Sequence, residues 1–222
     1  MAQTAANVTY GKPKTAGAIW RAPAGTTLPT DATSDLDSAF VCLGYCSEDG
    51  LTNEYTIDTD SIQAWGGDKV LYFENGREDT FGLKLIESLN PEVLKAVYND
   101  SNVSGTLDTG ITVKVNSTPQ EESEWVVDMV LKGGVLKRIV IPAGKITELG
   151  EINYVDNDAV GYEITVACVT DTDGNYHYEY IQAGSSTMKM RVSKPEKVEE
   201  TEVVETAKTT AGTKKASNTK KK

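Results

Sequence analysis

Residues 17–70 read GAIWRAPAGTTLPTDATSDLDSAFVCLGYCSEDGLTNEYTIDTDSIQAWGGDKV, and this stretch decides the fold class. Residues 17–22 form a short apolar strand. Residues 23–38 carry two prolines, one glycine and repeated Thr and Asp, which is loop chemistry. Residues 39–46 form a second apolar strand, broken by Glu48-Asp49-Gly50. Residues 51–68 are polar and weakly alternating, either an extended loop or an edge hairpin. They end in Trp65-Gly66-Gly67-Asp68. A Trp beside two glycines is either a core residue at a tight bend or an anchor that reaches another subunit, because Trp is enriched at interface hot spots.

Downstream the pattern stays β. Residues 70–74 and 79–88 read as a hairpin around Asn75-Gly76, a strong turn dipeptide. One helix follows. Asn90 caps it, Pro91 suits its first position, and Glu92 favours the positive end of its dipole. Val93, Leu94 and Val97 give a narrow apolar stripe, and Asn99-Asp100 ends the helix after about ten residues, too few to persist without tertiary packing. Residues 111–115 alternate. Residues 125–132 and 135–141 flank Gly133-Gly134, a two-residue hairpin turn. Pro142-Ala143-Gly144 turns the chain into residues 145–154. A last hairpin joins 160–170 to 176–181 through Asp171-Thr172-Asp173-Gly174. Many short strands with turns between them predict a mainly β fold, a β-sandwich or β-barrel with one short flanking α-helix.

The chain has 222 residues and a net charge of −11. From residue 193 to 222 there is no aromatic, and only three valines stand among Glu, Thr, Ala and Lys. Such a segment cannot bury enough apolar area to offset the entropy of ordering it, so a disordered Lys/Glu-rich tail is expected there. Its 8 Lys and 5 Glu carry +3, which leaves the rest of the chain at −14. A body this acidic repels phosphate backbones, which argues against reading DNA sequence. Three cysteines, Cys42, Cys46 and Cys168, do not make a disulfide framework. On one strand Cys42 and Cys46 are about 13 Å apart, too far to bridge. Buried thiols and folding in a reducing cytoplasm are expected. No apolar run is long enough to cross a bilayer, and no membrane partner is expected.

No constellation carries catalytic chemistry. Asp171-Thr172-Asp173-Gly174 opens like a calcium loop, but position twelve is Gln182 where a bidentate Glu is needed. His177, the one histidine, has no second ligand at metal spacing, and no nucleophile elbow surrounds any serine. Paired carboxylates such as Asp58 and Asp60 read as a solvated acidic face. Gly66-Gly67 lacks the Lys-Ser/Thr of a phosphate loop. No enzyme activity, cofactor or metal is expected.

The residues do carry a family resemblance. The loop "AP.GTTLPTDA", the strand end "LGY.SEDG" and the loop "I.AWGGD" occur in order in residues 17–70. Asp79-Thr80-Phe81 to Leu85-Ile86-Glu87 is similar to "ETF.F.LIE", and residues 92–98 to the short helix that follows it. Gly133-Gly134 with residues 137–143 is similar to "GG..+RIVIP.A", and residues 150–164 to "GEI.Y.D.DAVGYEIT". Together these blocks resemble a siphophage major tail protein, the subunit of the phage tail tube. The resemblance implies an N-terminal arm at 1–16, a tail tube β domain at 17–192 and the tail at 193–222. It implies a structural virion protein, made in the host bacterial cytoplasm, that stacks hexameric rings into the tail tube through which DNA is ejected. Its implied partners are further copies of itself, the tape-measure protein, the tail terminator and distal tail or tail-tip proteins, with non-specific passage of phage DNA. By the family's layout, residues 1–14 and 51–68 bridge rings, and Tyr10, Trp20, Trp65, Gly66, Gly67 and Asp68 are inter-subunit contacts. Some relatives carry an immunoglobulin-like domain after residue 193, for which this chain is too short. The competing expectation is a β-sandwich decoration or adhesion module on a virion surface.

Overall fold

The computed structural model describes residues 3–184; the expected tail at 193–222 lies outside them. The fold is mainly β with one short helix. Strand β1 is Gly11–Pro13, β2 Ile19–Pro23, β3 Val41–Cys42, β4 Cys46–Gln63 and β5 Lys69–Leu85. Helix α1 is Pro91–Tyr98. Strands β6 (Val103–Ser104) and β7 (Thr112–Val113) pair with each other. Then come β8 Ser123–Leu131, β9 Val135–Leu149, β10 Tyr162–Cys168 and β11 Tyr178–Ala183. Among the described residues, nine strands form one antiparallel sheet in the order β3-β2-β8-β9-β10-β5-β4, with β1 on β8 and β11 on β9.

Strand β9 is the hub. One edge pairs with β8. The other pairs with β11 along residues 135–140 and with β10 along residues 144–149. Strand β8 is buried continuously from Ser123 to Asp128 because both of its faces are covered. Successive side chains point to opposite faces, so Trp125 and Val127 enter the larger core while Val126 joins a second cluster. The larger core packs α1 through Val93, Leu94, Ala96 and Val97 against Phe81, Leu83 and Leu85 of β5 and Ile164 and Val166 of β10.

Helix α1 follows its sequence signals. The Asn90 side chain accepts from the Glu92 N–H at 3.0 Å, Pro91 opens the helix and Asn99 (φ 74°) closes it. The cap has its own support. Asn90 Nδ2 donates to Glu87 Oε2 at 3.0 Å, and Glu87 Oε1 accepts from the Tyr45 N–H at 3.0 Å. The Glu87 carboxylate fills the space a Cβ on Gly44 would need, and Gly44 has φ 76°. Glycine is required there on both counts. The sequence blocks around Leu43-Gly44-Tyr45 and Leu85-Ile86-Glu87 are thus two halves of one contact.

The second face is covered by the loop after β2. Leu28, Leu36 and Ala39 pack on Ala22, Phe40, Val126 and Val140, with Trp20, Tyr178 and Tyr180 alongside. Arg138, 1% exposed, ties the loop down. Its guanidinium donates to both Asp128 oxygens, at 2.7 and 3.0 Å, and to the carbonyls of Ser34 (2.9 Å) and Asp31 (3.1 Å). Lys14 adds a third contact to Asp128 at 3.1 Å. Asp31 Oδ1 accepts from the backbone N–H groups of Ser34 and Thr33, both at 2.6 Å, which holds its carboxyl down at about 2. Glu124 lies under the same loop. One oxygen accepts from the Gly25 N–H at 2.8 Å, and the other has no partner among the described residues. Burial pushes its carboxyl above the usual carboxylate range.

Several expected elements are redrawn. Residues 39–46 are not one strand: β3 ends at Cys42, and the chain turns through Gly44 before β4. Asn75-Gly76 is not a hairpin turn. Strand β5 runs through it, Asp58 pairs with Gly76 and Thr59 with Glu74, so Asn75 is the extra residue of a β-bulge. Pro142 does not end its strand either. It sits at a second register shift, between the pairs Trp125–Ile141 and Ser123–Gly144, where its missing N–H costs no ladder bond. Residues 111–115 shorten to β7. Gly133-Gly134 lies in a three-residue turn, Lys132–Gly134. Strands β10 and β11 are not a hairpin; both pair with β9. The Asp171 turn between them is an Asx-turn, with Oδ1 accepting from the N–H groups of Asp173 and Asn175 at 2.9 Å. Cys168 is buried and Cys42 and Cys46 are half-buried free thiols; burial pushes Cys46 up to about 11 and Cys168 to about 12.

Two outcomes follow for stability. Arg138→Ala leaves Asp128 buried without its main partner and is expected to cost about 3–5 kcal/mol, measured by urea unfolding. Glu124 binds its proton more tightly folded than unfolded, so its contribution is full below the unfolded pKa and is lost as pH rises through the folded one. Glu124→Gln should therefore stabilise the protein at pH 7 relative to wild type, and the gain should vanish in unfolding curves taken near pH 4.

Candidate self-assembly surface

Strand β10 pairs with β5 only along Thr80–Leu85. Beyond that point β5 has β4 alone for company. Residues 55–63 and 69–79 therefore leave the body as a two-stranded ribbon, about 30 Å long at ~3.3 Å per residue. Alternating Thr, Tyr and Ile favour the extended backbone. The turn is residues 64–68: the Gly67 N–H donates to the Ala64 carbonyl at 3.0 Å and the Ala64 N–H to the Asp68 carbonyl at 2.7 Å. Gly66 and Gly67 supply the positive φ, 115° and 97°. Residues 51–68 are thus one arm and the tip of a hairpin, and the partner arm is the segment expected to form its own hairpin.

Both faces of the ribbon are apolar in part. The register places Ile62 opposite Leu71 and Asp60 opposite Phe73 on one face, and Tyr55, Ile57 and Tyr72 on the other. All six large side chains are exposed, as is Val70. Both outer edges of the ribbon carry unpaired backbone groups, which is a template for pairing with another chain. A lone two-stranded hairpin is marginal in water. An unpartnered apolar surface of this kind marks an interaction site.

The root of the ribbon is firmly held. Asp79 is 1% exposed and accepts from Asn53 Nδ2 at 2.7 Å, and its other oxygen lies 2.5 Å from His177 Nδ1. Tyr176 donates to the Arg77 carbonyl at 3.1 Å, and its ring meets Tyr55 edge-on. The His177 ring stands edge-on to Phe81. His177 is therefore a strut between the segment entering β11 and the ribbon root, with Asp79 as its sole hydrogen-bond partner among the described residues.

Trp65, left open between core and anchor by its local sequence, is fully exposed at the tip, with Gly66, Gly67 and Asp68. Tyr10 lies on the arm before β1, exposed, with Lys12 Nζ 5.2 Å from its ring centroid. Trp20 lies in β2, half-buried on the second cluster, and its indole N–H donates to the Gly17 carbonyl at 3.3 Å. The structure brings four of the six expected contact residues together at the tip and places Tyr10 and Trp20 on β1's approach and on β2. Sequence reasoning missed the ribbon's apolar residues. Val70 to Phe73 are a continuous apolar run, but Asn75-Gly76 drew the turn away from residues 64–68. Among the described residues, no group of three or more His, Cys, Asp or Glu is placed to hold a metal, and no helix is long and apolar enough to cross a membrane.

The family model described as "Phage tail tube protein" matches residues 12–190. Among solved structures, the anti-feeding prophage cap, a tube-terminating cap, is similar at 14% identity and a TM-score of 0.39, covering 83% of this chain and 100% of that one. At that level the likeness carries no argument. No curated protein matches the sequence.

Trp65 touches nothing in its own fold. Trp65→Ala is expected to leave the unfolding free energy within about 0.5 kcal/mol of wild type, read by urea unfolding followed by circular dichroism.

Proposed function

The chain belongs to the phage tail tube protein family, whose members are structural proteins of the virion tail rather than enzymes, and we propose that it stacks as hexameric rings into a siphophage tail tube that conducts DNA during ejection. The observation that carries this reading is the ribbon. A monomer that projects about 30 Å of hairpin, apolar on both faces and open at both edges, is incomplete by itself. Copies of the same chain complete it. A heterologous contact that closes on itself gives a ring, and ring-on-ring contact gives a filament. Pairing in the assembly also removes the aggregation hazard of open edges.

In this reading residues 1–16 act as an arm, residues 17–192 as the tube body and residues 193–222 as an appended tail. The arm and the ribbon bridge rings. Tyr10, Trp20, Trp65, Gly66, Gly67 and Asp68 are contacts between subunits. The chain's partners in this reading are further copies of itself, the tape-measure protein, the tail terminator and the distal tail or tail-tip proteins. A body carrying −14 repels DNA and lets it slide past without binding.

Negative-stain electron microscopy of the concentrated protein, with tail tips added as initiators, tests the reading. Hollow tubes with six-fold end views are expected. Monomers or trimers alone, with tips present, refute it. Trp65→Ala should remain monomeric under conditions where wild type polymerises; tubes of wild-type length in that variant remove Trp65 from the contact.

A further inference from the structure

The tip of the ribbon is a knob without a socket in its own fold. Trp65 is fully exposed, and Cβ atoms added to Gly66 or Gly67 would meet nothing within 4 Å. Elsewhere a concavity of about 450 Å³ opens beside the N-terminus of α1, lined by Ile86, Glu87, Ser88, Leu89, Asn90 and Leu107. Leu89 and Leu107 are 64% and 63% exposed. Nothing in the described chain covers them. Tyr45 stands beside the same wall, tied to Glu87 through its backbone N–H.

We propose that Trp65 of one copy seats between Leu89 and Leu107 of a second copy, with Lys69 of the first meeting Asp108 of the second. The inference rests on the tube reading and names the socket that the ribbon fills in the adjacent ring. Three observations support this occupant. The first is size and polarity. The space falls within the roughly 300–1,000 Å³ of small-molecule pockets, and a tryptophan that buries roughly 150–250 Å² there is a typical interface anchor. Ser88 offers a hydroxyl acceptor for the indole N–H. Both oxygens of Glu87 are already bonded, to Tyr45 and Asn90, so the wall presents no unpaired carboxylate to the ring.

The second is charge. The tip's cation, Lys69, lies four residues from Trp65, with its ammonium 5.5 Å from the Tyr72 ring centroid. Asp108 is exposed and directly follows Leu107, which lines the concavity. The third is the contrast with the other concavity, of about 250 Å³ between α1 and β9. Its walls hold Asn99, Asn102, Asn116 and Gln120. These amides bond one another and nearby carbonyls, so an apolar ring gains less by entering there.

The test keeps Trp65 in place. Full-length chains carrying Lys69→Cys with Asp108→Cys are polymerised and oxidised mildly. A ladder of covalently joined chains on a non-reducing gel is expected, and no ladder from the control pair Lys69→Cys with Val115→Cys, which probes the amide-lined concavity. Tubes of the first pair that give no ladder, or a ladder from the control pair, overturn the proposed socket. If the first pair does not polymerise, the charge swap decides. Lys69→Asp and Asp108→Lys should each lose polymer and the double swap should recover it; a double swap no better than either single overturns the contact. Wild-type chains are polymerised first, so a failure there refutes the tube reading and is distinct from failure of the socket.

Discussion

One guanidinium holds the second face of the sheet together. Arg138 leaves β9, meets the Asp128 carboxylate of β8 with two hydrogen bonds, and reaches two carbonyls of the loop after β2. Taking both charges out of water is expensive, and the arrangement is tolerable because the fork geometry and the loop carbonyls take up four of the five guanidinium N–H groups. The loop covers the apolar cluster at Val126 and Val140, and Arg138 holds the loop. Lys14 brings the N-terminal arm to the same carboxylate. The entry of the arm, the path of the loop and the dryness of the second cluster therefore depend on one ion pair. The sequence block Lys137-Arg138-Ile139-Val140-Ile141 is in this sense half polar clamp and half core.

The other half of the molecule is organised differently. Where β5 lies between β10 and β4 it is a core strand, with Phe81, Leu83 and Leu85 buried. From Asp79 outward it is a ribbon in solvent. The change happens at the buried Asp79 and its bonds to Asn53 and His177. A long hairpin with no third strand has little to set its direction, and this polar joint, with the Tyr55–Tyr176 contact, sets it at the root. The one histidine of the chain is thus used for aim.

Much of this was legible in the sequence, and the failures have physical causes. The helix was readable because its signals are local: Asn90, Pro91 and Glu92 act within one turn. The β class was readable from alternation and turns. The strand partners were not, because pairing is decided by contacts far apart in sequence. Asn75-Gly76 favours a tight turn, but as a bulge it lets one strand run on for 17 residues. Pro142 suggests an ending, yet it falls where no ladder bond is asked of it. Asp79 opens the block similar to "ETF.F.LIE", and only the fold puts it beside His177. At the tip the chain spelled out Trp65-Gly66-Gly67-Asp68 plainly, while on the first arm Tyr55, Ile57 and Ile62 were hidden among Asp, Thr and Ser residues.

Those intervening acids have a consequence of their own. Between residues 54 and 78 the ribbon carries Glu54, Asp58, Asp60, Asp68, Glu74 and Glu78 against Lys69 and Arg77, and Arg77 is already bound to Glu74. Two ribbons laid edge to edge would bring like charges within about 5 Å, well inside the Debye length of about 8 Å at physiological salt. The most dangerous mispairing of an open hairpin, ribbon against ribbon in a growing pool of newly made chains, is therefore the one its own charge resists. Sticky side chains and repelling carboxylates on the same strands discriminate between partners, and raising the ionic strength weakens that discrimination before it weakens the apolar contacts.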